Sequence, residues 1–252
     1  MNSYPISVAR HALLALPSGG LWWPDAGLLC VSDLHLGKSG RMARRAGLLL
    51  PPYDTLETLA RLSKDIEATK PQKVVCLGDS FDDLQAARTL SANEDALLHQ
   101  LIDGRDWIWI EGNHDPAPTH LGGRHQAVFI QDSLTFRHIA DEEAQTEVHA
   151  EISGHFHPKA RLATRGRGIS RPCFVTDGQR LIMPAYGTYT GGLSCEDPAL
   201  RKLFKTPAIA ILTGDTMVAV PLSPNAMPIT KMPITKMPVT KIAVTKPRSK
   251  PT

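Results

Sequence analysis

The chain has 252 residues, 42% of them hydrophobic and 21% charged, with a formal net charge of +3 at pH 7. That length suits one large domain or two small ones with a sizeable core, and no apolar run approaches the roughly 20 residues that cross a bilayer, which excludes a helical membrane protein and makes the cytoplasm the expected location. Much of the positive charge is terminal: Pro221 to Thr252 carries six Lys/Arg and no acid, leaving 22 basic against 25 acidic residues elsewhere, so any polyanion site in the remainder must be a local patch.

In chain order, "ISVARHALLALPSGGLWWPDAGLLCVSD" predicts short strands broken by Ser-Gly-Gly and Pro-Asp turns, ending in a strand up to Ser32. After Pro51 and Pro52, Leu56, Leu59, Leu62 and Ile66 recur at helical spacing, and Pro71 stops the helix. "KVVCLGD" is a second buried strand, a helix is expected over roughly Asn93 to Ile102, and "WIWIEGNHD" is a third strand. Strand, helix, strand, helix, strand is an α/β pattern, and its polar residues fall at the strands' carboxyl ends, where such sheets bind ligands. Beyond "AVFI", strands dominate and helical periodicity fades, which suggests a single domain with two sheets.

The last part is separate. "MPITK MPITK MPVTK IAVTK", Met227 to Lys246, repeats a pentad with recurrent proline and no acidic or aromatic residue. Residues 1–220 are therefore expected to form the domain and 221–252 a disordered, basic, low-complexity tail. The four cysteines, Cys30, Cys76, Cys173 and Cys195, include no C-x-x-C pair and read as buried free thiols of a reducing compartment.

The chemistry gathers in four short stretches. Asp33 and His35 end the first strand; "GDSFDD" (Gly78 to Asp83), "GNHD" (Gly112 to Asp115) and "GHFHP" (Gly154 to Pro158) follow later strand-like runs. Each of the last three starts with a glycine, expected to let the backbone turn sharply over the sheet edge. Carboxylate, amide-carbonyl and imidazole donors without thiolates suit intermediate divalent ions such as Mn²⁺, Fe²⁺ or Zn²⁺ and argue against a structural zinc knot. Any one stretch is commonplace as a surface turn; all four in order, each after an apolar strand, are not.

The set D-x-H, G-D-x-x-D, G-N-H-D and G-H-x-H resembles the calcineurin-like metallophosphoesterases. That resemblance implies a two-sheet αββα sandwich and two divalent metal ions, Mn²⁺ first among them. It implies Asp33, His35 and His157 as ligands of one ion, Asn113 and His155 of the other, Asp79 as the bridging carboxylate, and His114 as the catalytic histidine at the scissile phosphate and leaving group. The pattern needs one more histidine. His138, at the end of "SLTFR", and His125 are the candidates, with His138 preferred for its strand-end placement; His120 and His149 read as surface residues. Asp82 and Asp83 are either orienting groups behind the ligands or a solvated acidic turn.

"DLHLGKSGRMARRAGLLLPP", the "GHFHP" form of the last motif and "CFVTDGQRLIMPAYGTYTGGL" further resemble the ligase-associated DNA damage response endonucleases, bacterial enzymes associated with DNA repair genes. This narrower likeness implies a DNA endonuclease acting in repair, with single-stranded DNA as the partner and repair proteins such as a ligase or helicase nearby. Lys38, Arg41, Arg44 and Arg45 form a basic cluster able to track a phosphate backbone, or else a solvated helix face. Trp22, Trp23, Tyr186 and Tyr189 offer stacking surfaces for unpaired bases, although core packing is the simpler role for the tryptophans. Two other readings stay open: a phosphatase or pyrophosphatase on a small nucleotide or lipid precursor, and a non-catalytic scaffold of the same fold.

Overall fold

The structure, a computed structural model, describes residues 2–115, 120–142, 150–164 and 167–222; His149 and the pentad repeats lie outside them. The first sheet takes β1 (Tyr4–Val8), β2 (His11–Ala15), β3 (Leu21–Trp23), β4 (Leu28–Val31), β5 (Lys73–Leu77), β6 (Asp106–Ile110) and β7 (Arg124–Gln126) in that order. Pairing is antiparallel from β1 to β4 and parallel from β4 to β7. Parallel neighbours need crossovers: α1 (Lys38–Ala46) and α2 (Asp54–Thr69) connect β4 to β5, and α3 (Ala92–Ile102) connects β5 to β6.

The second sheet is built from β8 (Val128–Gln131), β9 (Leu134–Arg137), β10 (Ala150–Ser153), β11 (Lys159–Thr164), β12 (Arg167–Thr176), β13 (Arg180–Ile182), β14 (Ala208–Leu212) and β15 (Val218–Leu222). Its order is β15-β14-β12-β13-β10-β9-β8, with β11 paired to β12 off that path. Only β9, β10 and β13 run parallel to one another. β15 crosses the expected boundary at 220 by two residues; Pro221 is tolerated because the strand is an edge, where a missing N–H breaks no further ladder.

Alternation along the strands shows how the layers stack. Cys30, Val75, Leu77, Ile108 and Ile110 join Phe136, Ile152, Phe174 and Leu181 in a core between the two sheets. Their neighbours Leu29, Val31, Val74, Cys76, Trp107 and Trp109 face the other way, onto Leu59, Leu62 and Ile66 of α2 and Leu98 and Leu101 of α3. β4 is buried at every position because both of its faces are covered. On the outer face of the second sheet, Cys173, Val175 and Ile182 pack with Leu200 of α4 (Pro198–Arg201) and with Leu203. The layers are therefore helix, sheet, sheet and a thin fourth layer of one short helix with its flanking loops.

Leu59, Leu62 and Ile66 are buried, each contributing about 1.5–3 kcal/mol relative to exposure. Leu56 is not: it is 37% exposed. The first turn of α2 instead buries Thr55 and Thr58, whose hydroxyls accept the Gly37 and Thr188 N–H groups at 2.9 and 3.1 Å. That end of the helix holds loops rather than apolar surface. α3 begins with a capping box, in which Ser91 accepts from the Glu94 N–H and the Glu94 carboxylate from the Ser91 N–H. All four cysteines are buried and free. Among the described residues, no helix is long and apolar enough to cross a membrane.

Candidate metal centre

The carboxyl ends of β4, β5 and β6 in one sheet, and of β9 and β10 in the other, open onto one edge of the sandwich. Asp33 and His35 follow β4, Asp79 follows β5, Asn113 and His114 follow β6, His138 follows β9, and His155 and His157 follow β10. Two groups of donor atoms form there, one of Asp33, His35 and His157 and one of Asp79, His138 and His155, each with its atoms within 4.8 Å of one another. The Asn113 Oδ1 adds a carbonyl to the second group, 2.9 Å from the His138 Nε2.

The glycines expected to make turns divide into two kinds. Gly78 does have a left-handed backbone, with φ of +72°. Gly112 and Gly154 are required for space: a Cβ on Gly112 would fall 2.1 Å from the Asp79 nitrogen, and one on Gly154 would fall 1.8 Å from the Ser32 Oγ. The left-handed backbone lies instead at the donors, with φ of +53° at Asp33, +45° at His35, +46° at Asp79, +66° at His155 and +45° at His157. Non-glycine residues seldom adopt that region, and their concentration at one edge marks it as a site where aiming side chains outweighs local comfort.

Both groups have the character of a cation site. The Asp33 Oδ2 accepts from the Ser32 hydroxyl and, at 3.0 Å, from the His155 N–H. Its Oδ1, the His35 Nε2 and the His157 Nε2 are buried and lack a hydrogen bond among the described residues, although Asp33 and His157 approach to 2.9 Å. Two imidazole nitrogens and a carboxylate oxygen that converge in burial are a donor set that a divalent cation would satisfy. In the second group, the His138 Nδ1 bonds the Leu77 carbonyl at 2.8 Å, which turns Nε2 toward Asn113, His155 and Asp79. Burial works to lower the His138 pKa, but contact with Asp79 and Asp33 prevails and raises it. The surroundings favour positive charge at that point.

The carboxylates respond in kind. Burial pushes Asp33 up, yet His157, His138 and Ser32 outweigh it and hold the group below the ordinary value. Asp79, opposed in the same way by burial, is held well below by His138 and by the His114 N–H, which donates to its Oδ1 at 2.9 Å. His155 is lowered by burial first and then by the charge on His138.

Asp82 stands behind the first group. Its Oδ1 lies 2.8 Å from the His35 Nδ1, and its carboxylate meets the Arg41 Nε and, at 3.7 Å, the Lys38 Nζ. Burial raises it, but His35, Arg41 and Lys38 lower it to about 2, so it stays ionised and fixes which His35 nitrogen faces the site. Lys38 and Arg41, read in the sequence as phosphate contacts, are thus turned onto Asp82. Arg44 and Arg45, later in α1, lie 3.2 and 3.8 Å from Asp83 and keep exposures of 34% and 68%. Asp115 closes the G-N-H-D stretch. Its Oδ2 accepts the Ser80 and Phe81 N–H groups at 2.8 and 3.1 Å, tying the loop after β5 to the loop after β6, and burial together with nearby Asp79 raises it to about 7.

The remaining candidates lie apart from the two groups or at their rim. His114 is 39% exposed at the mouth, its Nε2 3.9 Å from the Asp79 Oδ2 and its ring 5.5 Å from that of His35. His125 sits in β7 with its ring stacked on Trp109 at 6.2 Å, and His120 is exposed. Trp23 and Tyr186 belong to the core, Trp22 packs against it, and Tyr189 is exposed. His138→Ala is therefore expected to lower bound divalent metal at least about tenfold, while His125→Ala leaves it nearly unchanged; elemental analysis after gel filtration checks the pair, and the opposite order would exchange their roles.

Similarity to known proteins agrees with this geometry. The chain is similar to the nuclease MPE of Pseudomonas putida, whose crystal structure aligns with a TM-score of 0.68 and 26% sequence identity over 88% of this chain and 100% of that one. A second likeness, to Yfce, a phosphoesterase from E. coli, has a TM-score of 0.38 and 14% identity over 77% of this chain and 97% of that one. No curated protein sequence matches. The model of the calcineurin-like phosphoesterase family matches residues 27–217, which span the whole site. A chain matched over that length, with its donor groups on the joined carboxyl edge of two sheets, belongs to the calcineurin-like phosphoesterases.

Proposed function

We propose that the protein is a phosphodiesterase dependent on two divalent ions, Mn²⁺ first among them, and that it cuts DNA, preferring single strands, in a repair setting. The observation that carries this is the pair of donor groups side by side on one edge, with Asp79 as the carboxylate of the second and His114 at the mouth. Similarity to the Pseudomonas putida nuclease supports nucleic acid over other phosphoesters. In this reading Asp33, His35 and His157 hold one ion, Asn113, His138 and His155 the other, and Asp79 serves both. Ions held there would polarise the phosphoryl oxygens and make a water nucleophilic near neutral pH.

The chain's own groups do the remaining work. Asp82 keeps His35 aimed, Asp115 keeps the Asp79 loop registered against the Asn113 loop, and His114 reaches the reacting phosphate. An imidazole there can hydrogen-bond the leaving oxygen and protonate it as the bond breaks. The test is a matrix of Mn²⁺, Mg²⁺, Zn²⁺ and Fe²⁺ against single-stranded DNA, duplex DNA, a bis-aryl phosphodiester and an aryl phosphate. Single-stranded DNA is expected to be cut fastest in Mn²⁺. Hydrolysis of small phosphoesters with DNA intact under every metal would replace this reading with a metabolite phosphatase.

The placement of the basic cluster sharpens the DNA prediction. Lys38 and Arg41 neutralise Asp82, so replacing them would disturb the ion site itself. Arg44 and Arg45 are the pair able to turn outward to a strand. Arg44→Ala with Arg45→Ala is expected to weaken DNA cleavage several-fold at moderate salt and to reduce the slope of log affinity against log salt by about 1–2, with the bis-aryl phosphodiester still hydrolysed. An unchanged slope would remove these arginines from the DNA path.

A further inference from the structure

A cleft of about 230 Å³ adjoins the candidate metal centre and shares His157 with it. It is walled by segments from both sheets: the β2–β3 loop at Ser18, α2 at Arg61, the start of β11 at Lys159, the loop after β13 at Thr190, and the β14–β15 loop at Thr213. Two permanent cations line it and no carboxylate does. The Lys159 Nζ reaches only the Thr190 carbonyl, at 3.3 Å, and among the described residues no carboxylate lies within ion-pair distance of it. Arg61 is set in place by the Tyr186 carbonyl at 2.7 Å and the Thr188 hydroxyl at 3.2 Å, with the half-exposed Glu57 at 3.6 Å, and still has unused N–H groups.

This is the electrostatic opposite of the surrounding edge. The donor groups gather carboxylates and fit cations, whereas the adjoining cleft is lined by two cations and fits an anion; its Ser18, Thr190 and Thr213 hydroxyls donate to Asp65 and to the Gly187 and Pro172 carbonyls. Its volume exceeds what one phosphate fills and falls short of the roughly 300–1,000 Å³ of a drug-sized pocket. Apart from the His157 imidazole, which belongs to the first donor group, no aromatic ring lines it for base stacking. Fixed positive charge with no free aromatic face suits a sugar and its phosphate rather than a base.

We propose that Arg61 and Lys159 bind the phosphate next to the scissile one, so that the cleft holds the neighbouring nucleotide of a polynucleotide substrate and favours chains over monoesters. The proposal rests on the phosphodiesterase reading above and names the subsite that sets its substrate class. Its consequence is that a ligand with two phosphates one nucleoside apart gains affinity at Arg61 and Lys159 that a single phosphate cannot.

Calorimetric binding of thymidine 3′,5′-bisphosphate and thymidine 5′-monophosphate to the full-length, Mn²⁺-loaded protein tests this without relying on turnover. The bisphosphate is expected to bind about tenfold more tightly. Lys159→Gln and Arg61→Gln should each reduce that ratio to about two or less, while Lys159→Arg and the exposed control Lys64→Gln keep it. Lys159 makes one polar side-chain contact, so its replacement leaves the fold intact even where loss of Arg61 loosens the 186–190 loop. A ratio near one in the unmodified protein, or one that survives Lys159→Gln, overturns the proposal even when DNA is cut. DNA left intact with the ratio and its Lys159 dependence present overturns the nuclease reading and leaves the cleft standing.

Discussion

Replacing Asp79 by alanine is expected to abolish hydrolysis of every substrate, by at least about 10³-fold, and to lower bound metal together with it. The size follows from the several kcal/mol that ions contribute at a phosphoryl centre, each 1.36 kcal/mol being tenfold in rate. Asp79 is the carboxylate of the second donor group and lies within 3.4 Å of His138, while its other oxygen accepts the His114 N–H. Its loss therefore removes the negative charge of the second donor group and frees the loop that carries His114. Asp79→Asn separates the two effects, since an amide oxygen can still accept from His114 but carries no charge. Steady-state rates, elemental analysis and a melting curve on the three proteins decide the matter. Full activity in Asp79→Ala would sink the two-ion assignment.

His114→Ala is expected to do the reverse: retain its metals and lose about 10²–10⁴-fold in kcat, the range typical of a positioned acid or base. The side chain stands at the mouth, partly exposed and outside both donor groups, so its removal leaves the ions' surroundings intact. The loss should be smallest on aryl esters, whose leaving groups need little protonation, and largest on DNA, whose alkoxide leaving group needs it most. Metal loss comparable to that of Asp79→Ala would move His114 into the ligand set.

Much of this site could be read from the chain because donors stand where apolar runs stop. The buried positions of β4, β5 and β6 carry no carboxylate or amide side chain, so Asp33, Asp79 and Asn113 announce the carboxyl ends of those strands. Choosing between His125 and His138 needed the sheets themselves: β7 lies at the rim of the first sheet and presses His125 on Trp109, whereas β9 runs parallel to β10 and delivers His138 beside His155. The inward turn of Lys38 and Arg41 was equally hidden, since Asp82 lies about forty residues downstream and no periodicity links them. Lys159 and Arg61 are farther apart still, and only the closure of one sheet on the other brings them to a common cleft. Leu56 keeps the helical spacing yet stays part-exposed, because the first turn of α2 hands its inner face to Thr55 and Thr58, which spacing alone does not reveal.

The left-handed backbone at Asp33, His35, Asp79, His155 and His157 reaches beyond the chemistry. Each such residue costs on the order of 1 kcal/mol, and five together approach the lower end of the roughly 5–15 kcal/mol that holds a domain folded. Ions that bind only the native arrangement would return that free energy by mass action. Under the two-ion reading, then, loading is the last stage of the protein's maturation rather than a later activation. A metal-starved cell would register the shortage first as accelerated turnover of the polypeptide, with proteases drawing on a larger unfolded fraction, and only afterwards as missing hydrolase activity.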